Sequence, residues 1–537
     1  MYNITFKIEG GEDVTIFAVG GENILELARK SDIPIDAPCS GNGTCGKCRI
    51  KIENNWQLAC QSTISEDAEI FVPNTATNYI NKITTEVYCP DPGNLPSNIP
   101  TAIAKYGLAI DIGTTTVSAL LVDTEAGYVL AKATTGNGQI RYGADVINRI
   151  IEQQKQGGIK KLQDAVIQDT LLPLIDNLCA ATKVPHDKIT RLTIASNTTM
   201  NHLLLGVDAN SIRIEPYQPA YLSFEPYDPT SIGIKVSPNA QMILAPNIGS
   251  YVGGDITAGV LAAMTPTGKN IWNSSEMTLL IDLGTNGEIV FGNEEFLMAC
   301  ACSAGPAFEG GDISCGMRAT TGAIEACQIN KETMKPELTV IGGGKPIGLC
   351  GSGLIDVVAE LFRTGIINGK GKFSTNPQKG RIQHDEYGNG SYILAHATDT
   401  ATGKDITITE TDIDNFIRAK GAIFSGIMSL LTPLGFTPAD IDDVLIAGGI
   451  GSGINIKSAI SIGMLPDLPE EKYSYIGNSS LTGAYNILTS PEAEEKVDEI
   501  AANMTYIDLS NEPGYMDEFI AACFLPHTNE TLFPSLL

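Results

Sequence analysis

The sequence predicts a small α+β domain at the N-terminal end, followed by a larger α/β module built from two related halves. Three observations predict it. Four cysteines fall at a spacing of C-x5-C-x2-C-x11-C, starting at Cys39. A strand, an Asp-x-Gly-Thr turn and a second strand occur at 107–122 and return at 279–291. A third apolar strand, 444–447, runs directly into Gly448-Gly449-Ile450-Gly451-Ser452-Gly453.

The cysteines come first. Cys39, Cys45, Cys48 and Cys60 have a spacing close to that of a [2Fe–2S] cluster loop, in which four thiolates must converge on two irons. Gly41, Gly43 and Gly46 let the backbone turn tightly, with amide N–H groups facing the sulfides. A zinc site ordinarily has two separated C-x2-C knuckles, and only Cys45–Cys48 is of that kind. A disulfide framework suits a secreted chain, for which nothing else in the sequence speaks. The span to Cys60 is shorter than in plant ferredoxins. Around the loop, 2–8 and 14–19 read as a hairpin through Gly10-Gly11-Glu12-Asp13. The apolar spacing of 23–29 is helical, and strands recur at 49–52 and 69–72. That order is the order of a β-grasp ferredoxin domain, placed at 1–73. The prolines and glycine of 90–96 then mark a linker over 74–105.

Composition sets bounds on the rest. A chain of 537 residues is long enough for three domains. Its formal charge of −27, spread along the chain, argues against nucleic acid and anionic membrane surfaces as partners. No apolar run reaches membrane-spanning length and no secretory leader is evident, so twelve cysteines read as reduced thiols plus a cluster in a cytoplasmic protein.

The large module divides into lobes at 106–275 and 276–537. In each, an aspartate at a strand end, Asp111 or Asp282, can hold Mg²⁺ or its water. Gly113, Thr114, Thr115 and Thr116 follow the first, and Gly284, Thr285 and Asn286 the second. They offer an unobstructed approach, hydroxyls and amides to phosphate oxygens. Two copies a domain apart read as an internal duplication gripping one polyphosphate. Gly448, Gly449 and Gly451 allow a base and ribose to approach the backbone. The P-loop pattern G-x-x-x-x-G-K-[ST] does not appear at these turns.

The order of these three motifs resembles phosphate-1, phosphate-2 and adenosine in the superfamily of actin, sugar kinases and heat-shock chaperones. That implies a two-lobed, actin-like ATPase of duplicated ribonuclease-H-like design. Segments 249–262 and 477–484, rich in small residues, look like its two connecting helices, placed for hinge closure. With the ferredoxin head, the whole chain resembles the reductive activators of corrinoid-dependent proteins. Segments 196–206, 302–312 and 419–423 are similar to theirs as well. A short linker departs from relatives that carry a larger folded segment there.

The resemblance implies ATP-dependent, one-electron reduction of inactive Co(II) to Co(I) in a methyltransferase system. It implies a [2Fe–2S] cluster, ATP and Mg²⁺ as cofactors. A corrinoid protein and a low-potential electron donor would be partners, and the chain would be a homodimer. Two other classes share parts of the pattern. An activator of a radical 2-hydroxyacyl-CoA dehydratase shares the ATPase body but holds a [4Fe–4S] cluster between subunits. A redox-regulated small-molecule kinase would need a general base, for which Asp255 and Asp312 are candidates. The remaining cysteines at 300, 302, 315, 327 and 350 read as small buried residues, His202 as a core residue, and 369–403 as an exposed hairpin.

Overall fold

The computed structural model describes residues 1–264, 275–374, 381–385, 388–449 and 453–537, apart from 10, 32, 34, 36, 38–40, 42, 44–47, 54, 74–82 and 89–104. The chain divides into two compact units. One comprises Met1–Ala258 with Ser480–Ala501, the other Gly259–Ser479 with Ala502–Leu537.

The first unit begins with a five-stranded sheet in the order Val14–Ala18, Tyr2–Ile8, Ala68–Val72, Arg49–Ile52, Asn55–Leu58. Tyr2–Ile8 pairs antiparallel with Val14–Ala18 and parallel with Ala68–Val72. Alternation along the strands turns Ile4, Phe6, Ile50 and Ile70 inward, where the helix Ile24–Lys30 covers them with Ile24, Leu25, Leu27 and Ala28. This is the β-grasp arrangement. The strand Asn55–Leu58 has no sequence signal, because its residues lie at the sheet edge and bury almost nothing.

The same unit holds a six-stranded sheet in the order Gln241–Leu244, Ile189–Ser196, Tyr106–Ile112, Thr116–Asp123, Tyr128–Gly136, Thr84–Val87. The second unit holds another, ordered Tyr473–Gly477, Asp443–Ala447, Thr278–Leu283, Gly287–Gly292, Leu297–Cys302, Met504–Ile507. In both, the strand carrying the motif aspartate is antiparallel to the next strand and parallel to one from later in the chain. The neighbours of the aspartate correspond too, although the second hairpin turn is one residue shorter. Asp111 lies between Ser118 and Ala195, and Asp282 between Glu288 and Ala447. The first five strands are therefore the duplicated element, and the sixth is an addition. It runs antiparallel in one sheet and parallel in the other.

The sixth strand of the first unit, Thr84–Val87, falls inside the segment read as a linker. Its Thr-Thr-Glu-Val favours extended backbone, a signal overshadowed by the prolines downstream; those prolines lie outside the described residues. The segment 369–403 also differs from a solvated hairpin. Ile382–His384, Gly390–Ala395 and Ile406–Thr409 form a three-stranded sheet, in which Tyr392, Ile393 and Leu394 are buried. The Tyr392 hydroxyl donates to the Met334 carbonyl at 2.7 Å, which makes burial of that tyrosine tolerable.

Candidate functional site

Of the four candidate cluster ligands, Cys39 and Cys45 lie outside the described residues. Cys48 is buried and Cys60 half-buried. The Ala59 amide donates to the Cys48 carbonyl at 2.8 Å, which ties Cys48 to the residue before Cys60. Asn23 fixes the other side. Its side-chain oxygen accepts from the amides of Leu25 and Glu26, capping the helix, while its Nδ2 donates to the Cys60 carbonyl at 2.8 Å. Gly41 has φ +88°, and a Cβ there would lie 3.6 Å from the Cys60 Cβ and 3.2 Å from Leu25. At Gly43, with φ +77°, a Cβ would come within 2.3 Å of the Gln61 amide. Gly41 thus approaches Cys60, and Gly43 approaches Gln61, with backbone that only glycine readily adopts. Cys48 and Cys60, with glycine packed closely against Cys60, fit two of the thiolates of an iron–sulfur cluster.

In the first unit, Asp111 is the penultimate residue of its strand, and the Ser480 hydroxyl donates to its Oδ1 at 3.1 Å. The loop that follows is held by its carbonyls. Asn137 Nδ2 donates to Gly113 O at 2.9 Å, and the Asn137 amide to Thr115 O at 2.9 Å. Arg149 Nη2 donates to the carbonyl between them, Thr114 O. Asn197 Nδ2 donates to Thr114 Oγ1 at 3.0 Å, and Asn197 also caps the helix Thr198–Leu205 through the Met200 amide. Asn201, Ser196 and Asn247 continue this buried polar layer, linked at 2.6 and 2.8 Å.

In the second unit, Asp282 likewise stands one residue before its strand end, with the Ser479 hydroxyl 3.4 Å from Oδ2. The Gly284 amide donates to Asn286 O at 3.0 Å, closing the turn, and the Thr285 hydroxyl donates to Glu309 at 2.9 Å. Because Thr278–Leu283 and Asp443–Ala447 are parallel neighbours, Gly448 emerges beside Asp282. A Cβ on Gly448, at φ +94°, would stand 2.9 Å from the Asp282 carboxylate and 2.3 Å from Leu283 O. Gly449 is exposed with nothing within 4 Å of a Cβ, and Gly451 lies outside the described residues.

The expected connecting segments are the helices Gly254–Met264 and Ser479–Thr489, and the division between the units falls inside both. Within the first unit a Cβ on Gly483 would lie 2.0 Å from Ala258 O, so the two helices cross at near-contact of their backbones. Asp255 accepts from the adjacent Ile256 amide at 2.9 Å, and the Asp312 carbonyl accepts from Asn415 at 2.9 Å.

Of the cysteines read as small buried residues, Cys300, Cys302, Cys327 and Cys350 are buried and Cys315 is half-buried. Burial raises the Cys300 and Cys302 thiols well above their usual range and pushes those of Cys315 and Cys327 up to about 12. Cys302 and Cys350 donate to backbone carbonyls at 3.1 and 3.2 Å. Among the described residues, no group of three or more His, Cys, Asp and Glu is disposed to hold a metal ion. His202 is fully buried with Nδ1 2.7 Å from Thr198 O, and burial lowers its pKa. No helix of the described residues is long and apolar enough to cross a membrane.

Sequence reasoning singled out the aspartates, the turns and the cysteines as candidates. It gave no role to Asn137 and Arg149, nor to Asn23, Ser479 and Ser480 beyond their helices, although all five act on the motifs from other elements. Asn197 had a signal, standing in a segment noted for resemblance, but its hold on Thr114 had none.

Three family descriptions match the chain. Residues 7–70 match the 2Fe-2S iron-sulfur cluster binding domain, 106–265 the RACo middle region, and 276–537 the C-terminal domain of RACo, the ASKHA domain. Among solved structures, one titled reductive activator for corrinoid, iron-sulfur protein is 37% identical, with 100% of both chains covered and a TM-score of 0.74. The corrinoid activation enzyme RamQ of Eubacterium limosum is 29% identical over 93% of this chain and 95% of its own length. The [Co(II) methylated amine-specific corrinoid protein] reductase of Methanosarcina barkeri is 25% identical, with 74% of this chain and 73% of that relative covered.

Proposed function

The chain belongs to the family of reductive activators of corrinoid proteins, and from that premise we propose that it reduces the inactive Co(II) form of a corrinoid protein to Co(I) at the expense of ATP. The observation that carries this reading is one chain holding both a glycine cradle around Cys60 and two sheets that each end in an Asp-x-Gly-Thr turn. Cys39, Cys45, Cys48 and Cys60 would be the four thiolates that bind a [2Fe–2S] cluster. When bound, that cluster supplies one electron at a time, at a potential near about −400 mV for the plant type. Each roughly 59 mV that the cobalt lies below its donor costs a factor of ten in the equilibrium constant, so a strongly reducing Co(I) requires an added driving force.

ATP is the source the chain is built to use. Asp111 and Asp282 would hold Mg²⁺ and orient the attacking water, each aimed by its serine. Thr114, Thr115 and Thr116, and Gly284, Thr285 and Asn286, would donate to phosphate oxygens. Gly448, Gly449 and Gly451 would receive the adenosine. The reading places the cluster domain at 1–73, the linker at 74–105 and the two lobes at 106–275 and 276–537. It adds a low-potential reductant as electron source, a homodimeric state and a cytoplasmic location. Support for it comes from the relatives' names and from the match over the full chain to the activator structure. The deciding experiment is anaerobic reduction of a Co(II) corrinoid protein, followed by its visible spectrum, with and without MgATP. A larger Co(I) yield with ATP is expected; equal yields would remove the coupling.

A further inference from the structure

We infer that Arg149 is a positioning residue for ATP, the group that sets the carbonyls of the first phosphate loop and so aims its amides. This rests on the nucleotide reading above and names a residue that reading does not use. Arg149 lies on the helix Val146–Gln153 and is fully buried, the largest side chain in the described residues to be so.

Its guanidinium is committed at every nitrogen. Nε donates to Gly143 O at 2.9 Å, Nη1 to Gln139 Oε1 at 3.2 Å, and Nη2 to Thr114 O. The first two acceptors belong to the short 3-10 turn Gly138–Tyr142 and the residue after it. That turn follows directly on Asn137, which takes the carbonyls on either side of Thr114. Three consecutive loop carbonyls, those of Gly113, Thr114 and Thr115, are therefore drawn toward one platform. In a trans peptide the N–H points opposite to the C=O that precedes it. Drawing the Gly113 and Thr114 carbonyls inward turns the amides of Thr114 and Thr115 to the opposite face, the orientation an anion requires.

A planar fork suits this task. Arg reaches the loop and its own anchors at once, with geometry fixed by the guanidinium plane. A lysine has a single nitrogen and cannot span Gly143, Gln139 and Thr114 together. The charge contributes as well, since a fully buried cation behind a phosphate loop is weakly screened by water.

The test uses the full chain with its cluster, purified anaerobically, and titrates ATP, ADP and adenosine by calorimetry. R149M keeps the stem and removes charge and donors. We expect its ATP affinity to fall by about 10- to 100-fold, the range for a lost charge-assisted hydrogen bond, with adenosine affinity unchanged. R149K retains the charge and one donor and should recover part of that loss. Far-ultraviolet circular dichroism and the thermal unfolding transition of each variant report whether the protein is folded. A folded R149M that binds ATP within twofold of wild type would overturn the inference. If R149M does not fold, R149K decides alone. It supports the inference by losing affinity for ATP and not for adenosine, and overturns it by binding both as wild type does or by losing both equally. Wild-type protein that binds no ATP would refute the nucleotide reading itself, a result separate from any property of Arg149.

Discussion

Substituting Gly448 by alanine tests the proposed nucleotide roles of the Asp282 turn and the glycine cluster together. Two costs add at this position. A residue with a Cβ is held at φ +94°, which costs about 1–2 kcal/mol outside glycine. The new methyl group would also stand 2.3 Å from Leu283 O and 2.9 Å from the Asp282 carboxylate. Contacts of this kind settle near about 3.5 Å, so the strand end must retreat by about 1 Å, and overpacking against backbone costs about 1–3 kcal/mol. The sum is about 2–5 kcal/mol. The retreat moves Asp282, and displacement on this scale lowers a catalysed rate by about 100-fold.

Denaturant unfolding followed by circular dichroism should therefore show a clear loss of stability in G448A, and ATP hydrolysis should fall by about two orders of magnitude. The neighbour supplies the contrast. A Cβ on Gly449 meets nothing within 4 Å, so G449A should keep wild-type stability within about 0.5 kcal/mol. Weaker ATP binding in G449A without a stability loss would report the adenosine at that glycine. A G448A protein with native stability and native hydrolysis would refute the argument from the Leu283–Gly448 approach.

Other outcomes follow from the same packing. Asn23→Ala removes a helix cap and the donor to Cys60 O, a loss of about 1–3 kcal/mol, and the cluster should bleach faster in the presence of an iron chelator. Bleaching at the wild-type rate would show that the Cys60 backbone needs no such tether. Lys420 is fully buried among Gly463 O, Phe524 O and Pro526 O, and burial, opposed by nearby Cys523, pulls its pKa from 10.5 down to about 7. Between those values the unfolded chain holds a proton that the folded chain has released. Stability should then rise with pH from about 7 upward, by as much as about 1.4 kcal/mol per pH unit, and K420M should lose that dependence. Identical pH slopes for the two proteins would contradict it.

Legibility followed sequence distance. The four cysteines and both Asp-x-Gly-Thr turns are patterns of residues close together in sequence, so they were readable as spacing. The helix start at Asn23 was readable for the same reason, because a cap acts within one turn. Its bond to Cys60 O was not, at 37 residues' separation. Thr84–Val87 and Asn55–Leu58 escaped notice because edge strands bury too little to impose a period. The polar turns of the sheet Ile382–Thr409 suggest an exposed hairpin, whereas Gly390–Ala395 is mostly buried, which only the packing of the unit decides.

The cysteine spacing, the motif aspartates, the duplication and the family were thus all present in the linear chain. Folding determined what holds the motifs in place. Ser480 reaches Asp111 across 369 residues, Ser479 reaches Asp282 across 197, Asn197 reaches Thr114 across 83 and Arg149 reaches it across 35. A hydrogen bond needs a donor within about 3 Å and aligned. For residues so far apart, only the register of the sheets and the packing of the helices against them can supply that.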